Sequence, residues 1–399
     1  MDCRVAVIGA GAAGLCCAYQ AAGRGGVALL DGNDRPGRKL LATGNGRCNM
    51  TNLDISPEFY CGDPGLSELI NAWPAQRVIG EFQKLGLMTR ADGEGRVYPN
   101  SLQAASVVGT LVSACEEAGV RFQYGFRAVN ISRERSGFTI TGGDGSVVRA
   151  RYCVLAPGGL ASPGHSRGEG YSLAKNLGHS VTELSPSLVG LRARGKFTRS
   201  LKGVRCKARA SLWLAGKELC GESGEVIFGD GYLSGICVMN LSVHMRGLSA
   251  KSPQLRLDLL EQMTGRELIS YLTEFAGKHP ERRAEELFSG TLNLRLGREL
   301  VKLLGFSGTL RELGPREIKR AAELVKSLIL PIEDTLGWEQ AQVTAGGVPL
   351  SEVDLSSMES RRCRGLYLCG ELLDADGLCG GYNLHWAFAT GLTAGEHLG

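Results

Sequence analysis

The first fourteen residues constrain this chain most. Val5-Ala6-Val7-Ile8 reads as a short apolar strand running into Gly9-Ala10-Gly11-Ala12-Ala13-Gly14 and then into an alanine-rich helical stretch. In a dinucleotide-binding turn each glycine has its own reason: Gly9 permits the tight turn, Gly11 lets main-chain N–H groups approach a pyrophosphate, and Gly14 lets the helix pack close to its strand. The phosphate rests on the positive end of that helix. With 57 glycines in 399 residues a bare GxGxxG arises by chance, so the setting has to carry the argument. A second strand, Val27-Ala28-Leu29-Leu30, ends at Asp31, 22 residues after Gly9, where an acid can accept hydrogen bonds from a ribose 2'-OH. An acid there fits FAD or NAD better than NADP as the tightly held nucleotide.

A chain of 399 residues has room for two or three cores. Hydrophobic residues at 43% and charged residues at 22% describe an ordinary globular protein. The 45 basic and 41 acidic residues nearly balance, and the basic clusters Lys319-Arg320 and Arg361-Arg362 are short and lack interleaved aromatics. Solvated surface explains them, and nucleic acid is not an expected partner. Residues 5 to 23 carry no charge, yet Gly9, Gly11 and Gly14 divide them into strand and helix and no basic segment precedes them. The stretch therefore reads neither as a membrane span nor as a signal peptide, and a cytoplasmic location is expected. The 13 cysteines are scattered without any CxxC pair, which indicates neither a disulfide framework nor a metal site.

Further along, residues 35 to 49 form a Gly-, Arg- and Asn-rich segment that reads as a loop around a short helix. A helical pattern covers 103 to 118, and the segments around Phe122, Val129 and Phe138 to Thr141 alternate like strands. Tyr152 to Ala156 has the character of a buried parallel strand ending in Pro157-Gly158-Gly159. Short strand-like runs follow from Pro186 to Ser249, and residues 253 to 327 become helical in period, with Leu255, Leu257, Leu259 and Leu260 ahead of Leu268 and Leu272. Beyond Trp338 the glycine-rich strand character returns. These patterns predict a nucleotide domain at 1–186 and 339–399, a β-rich substrate domain at 187–250 and 326–338, and a helical insertion at 251–325.

Near the C-terminus, Gly370-Glu371 leads through an acidic loop to Gly380-Gly381, which opens a helix running through Tyr382, Asn383, Leu384 and His385. In a flavoprotein the N-terminus of such a helix can face the flavin N1 and O2 edge and stabilise the anionic reduced ring. Alone, this stretch is equally a terminal helix after a glycine turn.

Together, Gly9xGly11xxGly14, Gly44-Asn45-Gly46-Arg47-Cys48-Asn49-Met50-Thr51-Asn52, Gln342 to Val348, Met358-Glu359-Ser360, Gly370-Glu371 and Gly380 to Leu384 resemble the BaiN/YhiN-type FAD-dependent oxidoreductases, a group also described as aminoacetone oxidase-like. The resemblance spans nearly the whole chain. It implies an α/β, Rossmann-like two-dinucleotide-binding-domain fold interrupted by a β-barrel-like domain and a helical domain. It places Gly9, Gly11, Ala12, Ala13 and Gly14 on the pyrophosphate of FAD, Asp31 on the adenosine ribose and Val129 on adenine through its main chain. Arg38, Lys39 and the loop Gly44, Asn45, Gly46, Arg47, Cys48 and Asn49 would lie along the cofactor, as would Ala156, Gly158 and Gly159. Gly370 and Glu371 would meet the ribityl or pyrophosphate portion, and Gly381, Tyr382, Asn383 and Leu384 the flavin pyrimidine edge. Two departures stand out: Ala156-Pro157-Gly158-Gly159 where the family often has Ala-Thr-Gly-Gly, and Ser234-Gly235-Ile236 where it often has Ser-Gly-Pro. The second falls in the expected substrate domain.

Flavin carries the redox chemistry, so the protein need supply only orientation and a proton. Arg47 could steady an anionic flavin or a substrate carbonyl, or clamp its own loop. Tyr382 could donate a proton or simply stack, and His385 could serve as acid or base or pack structurally. Cys48 reads as a buried thiol more readily than a redox partner. The resemblance implies NAD(P)H-driven reduction of an activated C=C bond in a hydrophobic, steroid-like enone. An amine oxidase passing electrons to oxygen and a non-catalytic flavin sensor or RNA-modification accessory are the alternatives. No second GxGxxG is present, so NAD(P)H and acceptor are expected to share one flavin face in turn.

Overall fold

The computed structural model describes residues 2–62, 65–162, 164 and 166–398. It divides into two compact units, Met1–Ser187 with Ala341–Gly399, and Leu188–Gln340.

The first unit is organised by a nine-stranded sheet. Its centre is parallel: Asp2–Ile8 lies between Val147–Leu155 and Val27–Asp31, with Leu366–Leu368 and Arg121–Tyr124 continuing outward on the two sides. The sequence dictates this arrangement, because Val5 to Ile8, Val27 to Leu30 and Cys153 to Leu155 are unbroken apolar runs, 6% exposed or less, that only a sheet covered on both faces can bury. The strands Ala128–Glu134 and Gly137–Gly142 form an antiparallel hairpin hung on Val147–Leu155. The helix Ala12–Ala21 packs against the C-terminal helix Tyr382–Leu398, and both belong to the same buried core as the sheet. Ser185–Ser187 pairs antiparallel with Val343–Ala345, so both ends of the segment that carries the second unit leave from one two-stranded ribbon.

The second unit is a closed six-stranded barrel in the order Leu191–Ala193, Tyr232–Ser234, Lys217–Phe228, Arg205–Leu214, Gln254–Asp258 and Leu328–Thr335. Leu191, Ala210, Leu212, Val226, Leu233, Leu255 and Leu257 are fully buried within this unit. The helices Gly265–Lys278, Leu294–Leu304 and Pro315–Lys326 share that core, Leu268, Leu300 and Val325 joining the same apolar cluster as the strands. The first helix is opened by a capping box between Thr264 and Glu267, the second by Asn293, whose side chain accepts from the N–H groups of Arg295 and Leu296.

Three local expectations change. Residues 253 to 327 do not begin as helix: Gln254–Asp258 is a barrel strand, and the reason was present as a period of two, Leu255 and Leu257 pointing inward between partly exposed neighbours. The strand-like stretch from Pro186 is broken at its start, since Leu188 takes a left-handed φ of 50° and separates Ser185–Ser187 from Leu191–Ala193. Ile236–Ser242, inside the strand-rich stretch, is a helix.

Candidate functional site

At the end of the first strand the three fingerprint glycines meet different surroundings. Gly9 has φ 105°, and a Cβ on it would lie 2.3 Å from the Ala156 carbonyl oxygen. A Cβ on Gly14 would lie 1.8 Å from the Gly9 carbonyl oxygen. Both positions are glycine because the protein's own main chain leaves no room. Gly11 differs: it has an ordinary φ of −85°, and a Cβ there would meet nothing within 4 Å. The fold does not require that glycine. The helix it opens has neither a side-chain cap nor an acid in its first turn, so its start keeps the unpaired donors and partial positive charge of a helix N-terminus, with the Asp31 carboxylate bonded just ahead of it to the Ala10 N–H. A pyrophosphate fits such a cradle, which a side chain at position 11 would fill.

Around this cradle the structure gathers most of the residues expected along a dinucleotide. Asp31 Oδ2 accepts the Ala10 N–H at 2.6 Å, while Oδ1 accepts the main-chain and side-chain N–H of Asn33 at 2.7 and 2.8 Å. The acid therefore shapes the glycine loop as well as lying at its edge. Arg38 donates to Asn33 Oδ1 at 3.0 Å. Lys39 pairs with Glu371 at 2.6 Å, and the other Glu371 oxygen accepts the Thr344 N–H at 2.9 Å. Gly159 packs against this pair, since a Cβ there would fall 2.8 Å from Glu371 Oε1. Val129 is half-exposed and is passed over by the strand register, which moves from Ala128 opposite Gly142 to Asn130 opposite Thr141. Such a bulge frees main-chain polar groups for an adenine edge.

Residues 3–397 match the family described as HI0933-like protein Rossmann domain. The chain belongs to this family. It is 36% identical over 403 residues, covering 98% of both chains, to the 3-dehydro-bile acid delta(4,6)-reductase of Clostridium scindens. It is 30% identical over 407 residues, covering 98% of this chain and 97% of the other, to the ribosomal RNA dihydrouridine synthase of Escherichia coli. Among solved structures, the 3-ketosteroid delta1-dehydrogenase of Sterolibacterium denitrificans superposes with a TM-score of 0.53 at 14% identity, covering 100% of this chain and 99% of that one. This HI0933-like chain is an oxidoreductase with a Rossmann-type FAD-binding fold. Among the described residues no helix is long and apolar enough to cross a membrane, and no group of His, Cys, Asp and Glu could hold a metal ion.

The second glycine turn of this HI0933-like protein is built differently. Gly380 and Gly381 have φ of 141° and 104°, and a Cβ on Gly381 would sit 2.5 Å from the Thr51 carbonyl oxygen. Both of these glycines answer to the chain itself. The same would-be Cβ lies 2.8 Å from Asn49 Oδ1, a buried oxygen with no hydrogen-bond partner among the described residues. An unmet buried acceptor costs roughly 1–3 kcal/mol unless something donates to it, and the N3–H of a flavin pyrimidine ring has the right polarity. The loop before it is wound through left-handed residues at Gly44, Asn45, Gly46 and Cys48, with φ between 54° and 80°. Gly44 to Arg47 are exposed and Cys48 is fully buried. Burial pushes the Cys48 thiol up to about 12, against a weaker pull from Thr43, so it carries no thiolate at neutral pH.

Of the three residues expected to touch the chemistry, only Arg47 is exposed. Tyr382 is 6% exposed and stacked on Phe59 at 4.8 Å, with Tyr60 edge-on at 6.0 Å. Tyr60 also donates its hydroxyl to the Tyr382 carbonyl. His385 is fully buried, its Nδ1 lies 2.8 Å from Thr51 Oγ1, and burial lowers its pKa to about 4 against an opposing pull from the Trp73 main chain. The ring is neutral through the physiological range. Asn383 spends its side chain on the turn, accepting from the Gly377 N–H at 2.9 Å and donating back to the Gly377 carbonyl at 2.7 Å.

Sequence reasoning named the acidic loop but gave its carboxylates no role. Asp376 is 4% exposed and accepts the Ser187 hydroxyl at 2.8 Å, while Asp374 accepts from Thr182 at 2.7 Å. The two carboxylates, two residues apart, thus hold the first arm of the ribbon, and Thr344 on the second arm reaches Glu371. The Asp-Ala-Asp spacing before a Gly-Gly turn was the available signal. A buried Ser360–His179–Glu352 chain, with both links at 2.8 Å, has the connectivity of a hydrolase triad. It is not one: Ser360 is 7% exposed, and its oxygen already accepts the N–H groups of Arg362 and Cys363.

Proposed function

We propose that this protein uses FAD to saturate a carbon–carbon double bond conjugated to a carbonyl, with NAD(P)H as the donor. The reaction balances as one hydride from NAD(P)H and one proton added across the bond, releasing NAD(P)+. One observation carries the reading. The two relatives aligned with this chain end to end are named for unlike substrates, a bile acid and an RNA, but both names describe the same bond change. Dihydrouridine is uridine with its carbonyl-conjugated double bond saturated.

Bound FAD would supply the two-electron carrier between donor and acceptor. Gly11 and the first turn of Ala12–Ala21 would hold its pyrophosphate, Asp31 its ribose, Val129 its adenine, and Lys39 with Glu371 its middle. Asn49 Oδ1 and the main chain of Gly381 to Leu384 would hold the pyrimidine edge. Arg47, exposed beside the buried Cys48, would meet a substrate carbonyl, whose developing negative charge a guanidinium stabilises. Tyr382, stacked and buried, shapes the site. His385, neutral to about pH 4, positions Thr51 instead of moving a proton.

Anaerobic titration of the purified protein with NADH and then NADPH, followed in the visible spectrum, tests this. The oxidised flavin band is expected to bleach and to return when a 3-keto-Δ4 steroid or uridine-containing RNA is added. A bound flavin that no nicotinamide bleaches defeats the reading. Because a second nucleotide fingerprint is lacking, initial rates are expected to give parallel double-reciprocal lines, and intersecting lines would require a separate nicotinamide site.

A further inference from the structure

The reduction proposed above adds a proton as well as a hydride, and the groups already described are badly suited to give that proton. Tyr382 is stacked and buried, His385 is buried and neutral, and the Arg47 guanidinium does not release its protons. A further group stands beside Arg47.

The loop that ends at Asn49 runs directly into a three-stranded sheet in the order Thr51–Asn52, Arg96–Pro99, Thr89–Ala91. The Met50 N–H donates to the Val97 carbonyl at 2.7 Å, which ties the loop to the middle strand. Along that strand Val97 and Pro99 are buried while Arg96 and Tyr98 are half-buried, the alternation of a sheet with one covered face. The Tyr98 ring reaches the start of the loop: a Cβ on Gly44 would lie 3.8 Å from Tyr98 Cε1 and 3.7 Å from Asn49 Cβ. Tyr98 and Asn49, whose oxygen is unmet, therefore border the same glycine.

The surroundings of this ring are cationic and its hydroxyl is uncommitted. Tyr60 and Tyr171 donate theirs to main-chain carbonyls, whereas that of Tyr98 has no hydrogen-bond partner among the described residues. Arg90 stands directly opposite Tyr98 in the ladder, where paired Cβ atoms are about 5 Å apart. Arg90 and Arg47 are exposed, and neither makes an ion pair among the described residues. Arg96 differs, because Asp92 at 2.8 Å and Glu94 at 2.9 Å neutralise it. Burial raises the Tyr98 hydroxyl above the usual phenol range, with Asp92 and Glu94 adding to the rise and Arg96 and Arg47 opposing it. Its proton is thus in place at neutral pH, and two unpaired guanidiniums offset the charge of the phenolate left once that proton has gone.

We propose that Tyr98 is the acid of the reduction. The inference rests on the double-bond reading above. As hydride originating from NAD(P)H forms a C–H bond at the carbon β to the carbonyl, the Tyr98 O–H bond breaks and its proton forms the second C–H bond, at the α carbon. Arg47 meets the carbonyl oxygen while it carries charge, and the half-buried phenolate recovers a proton from water.

The flavin-loaded Tyr98→Phe variant, which keeps the ring against Gly44, tests this with two acceptors. Cyclohex-2-enone needs a proton on carbon to complete its reduction, whereas 1-nitrocyclohexene takes hydride and leaves as a nitronate that is stable without one. Each is mixed anaerobically with protein titrated to the reduced state with dithionite, and the return of the oxidised flavin band is timed. With the enone the variant is expected to be at least about a hundredfold slower than the parent, and with the nitroalkene within about twofold of it. Equal rates of variant and parent with the enone overturn the proposal and leave the double-bond reading standing. Equal slowing with both acceptors, or loss of flavin from the variant, also overturns it, since either makes Tyr98 part of the architecture. If the reduced parent passes electrons to neither acceptor, the double-bond reading itself falls and takes the role of Tyr98 with it.

Discussion

The two glycine turns that open helices Ala12–Ala21 and Tyr382–Leu398 look alike in sequence and differ in what their glycines answer to. In the first, Gly9 and Gly14 are crowded by the protein's own carbonyls and Gly11 is crowded by nothing. In the second, Gly381 is crowded by the Thr51 carbonyl, and what lacks an internal explanation is the unmet oxygen of Asn49. A ligand thus shows itself in two ways: as space the fold does not need, and as polarity the fold does not satisfy. The first is visible as a glycine. The second is visible only once the chain is folded, because Asn49 and Gly381 are 332 positions apart.

The largest effect should come from confusing the two kinds of glycine. Gly14→Ala places a methyl group 1.8 Å from the Gly9 carbonyl oxygen, main chain on both sides, and should cost more than about 3 kcal/mol, read as loss of folded protein or a large fall in Tm. Gly11→Leu should leave Tm of the apoprotein nearly unchanged and weaken FAD binding about a thousandfold, roughly 4 kcal/mol, through loss of charge-assisted N–H contacts. Apoprotein prepared by flavin removal and titrated with FAD measures the affinity. Should Gly11→Leu unfold the protein while keeping FAD, the distinction between the turns collapses.

How much of this was legible beforehand follows from the same distinction. The parallel strands were readable because Val5 to Ile8, Val27 to Leu30 and Cys153 to Leu155 are unbroken apolar runs, and the fingerprint because its spacing is local. The Gln254–Asp258 strand was lost because Leu255 and Leu257 were counted with Leu259 and Leu260 as a helical cluster, although their own period is two. The acidic loop was read as a connection because the partners of Asp374 and Asp376 lie at Thr182 and Ser187, far away in sequence.

The first turn of the second helix carries a pH signature that the fingerprint helix lacks. His385 is held neutral by burial, with a pKa of about 4, so as pH falls below 6.5 the unfolded chain takes up a proton before the folded one does. Its contribution to stability is complete above pH 6.5 and is lost as pH falls toward 4, an effect of roughly 3 kcal/mol. His179, also lowered by burial but opposed by Glu352, adds a contribution of the same sign. Urea unfolding from pH 7.5 to 4.5 should show the decline, and His385→Gln should flatten it whatever it does to stability at neutral pH. A decline of unchanged steepness in the variant would place the titrating group elsewhere.

The smallest effect is the most discriminating, because it asks whether the second turn is marked for a ligand at all. Asn49→Ala removes the buried oxygen and with it the cost of leaving an acceptor unmet, so apoprotein stability should hold or rise by up to about 1 kcal/mol. If a flavin N3–H is what that oxygen awaits, FAD affinity should fall about tenfold in the same variant, the scale of one lost hydrogen bond. Stability and affinity then move in opposite directions, which a residue important only for packing cannot produce. If both fall together, Asn49 belongs to the architecture of the Gly380-Gly381 turn, and that turn, unlike the one at Gly11, holds its glycines for the chain alone.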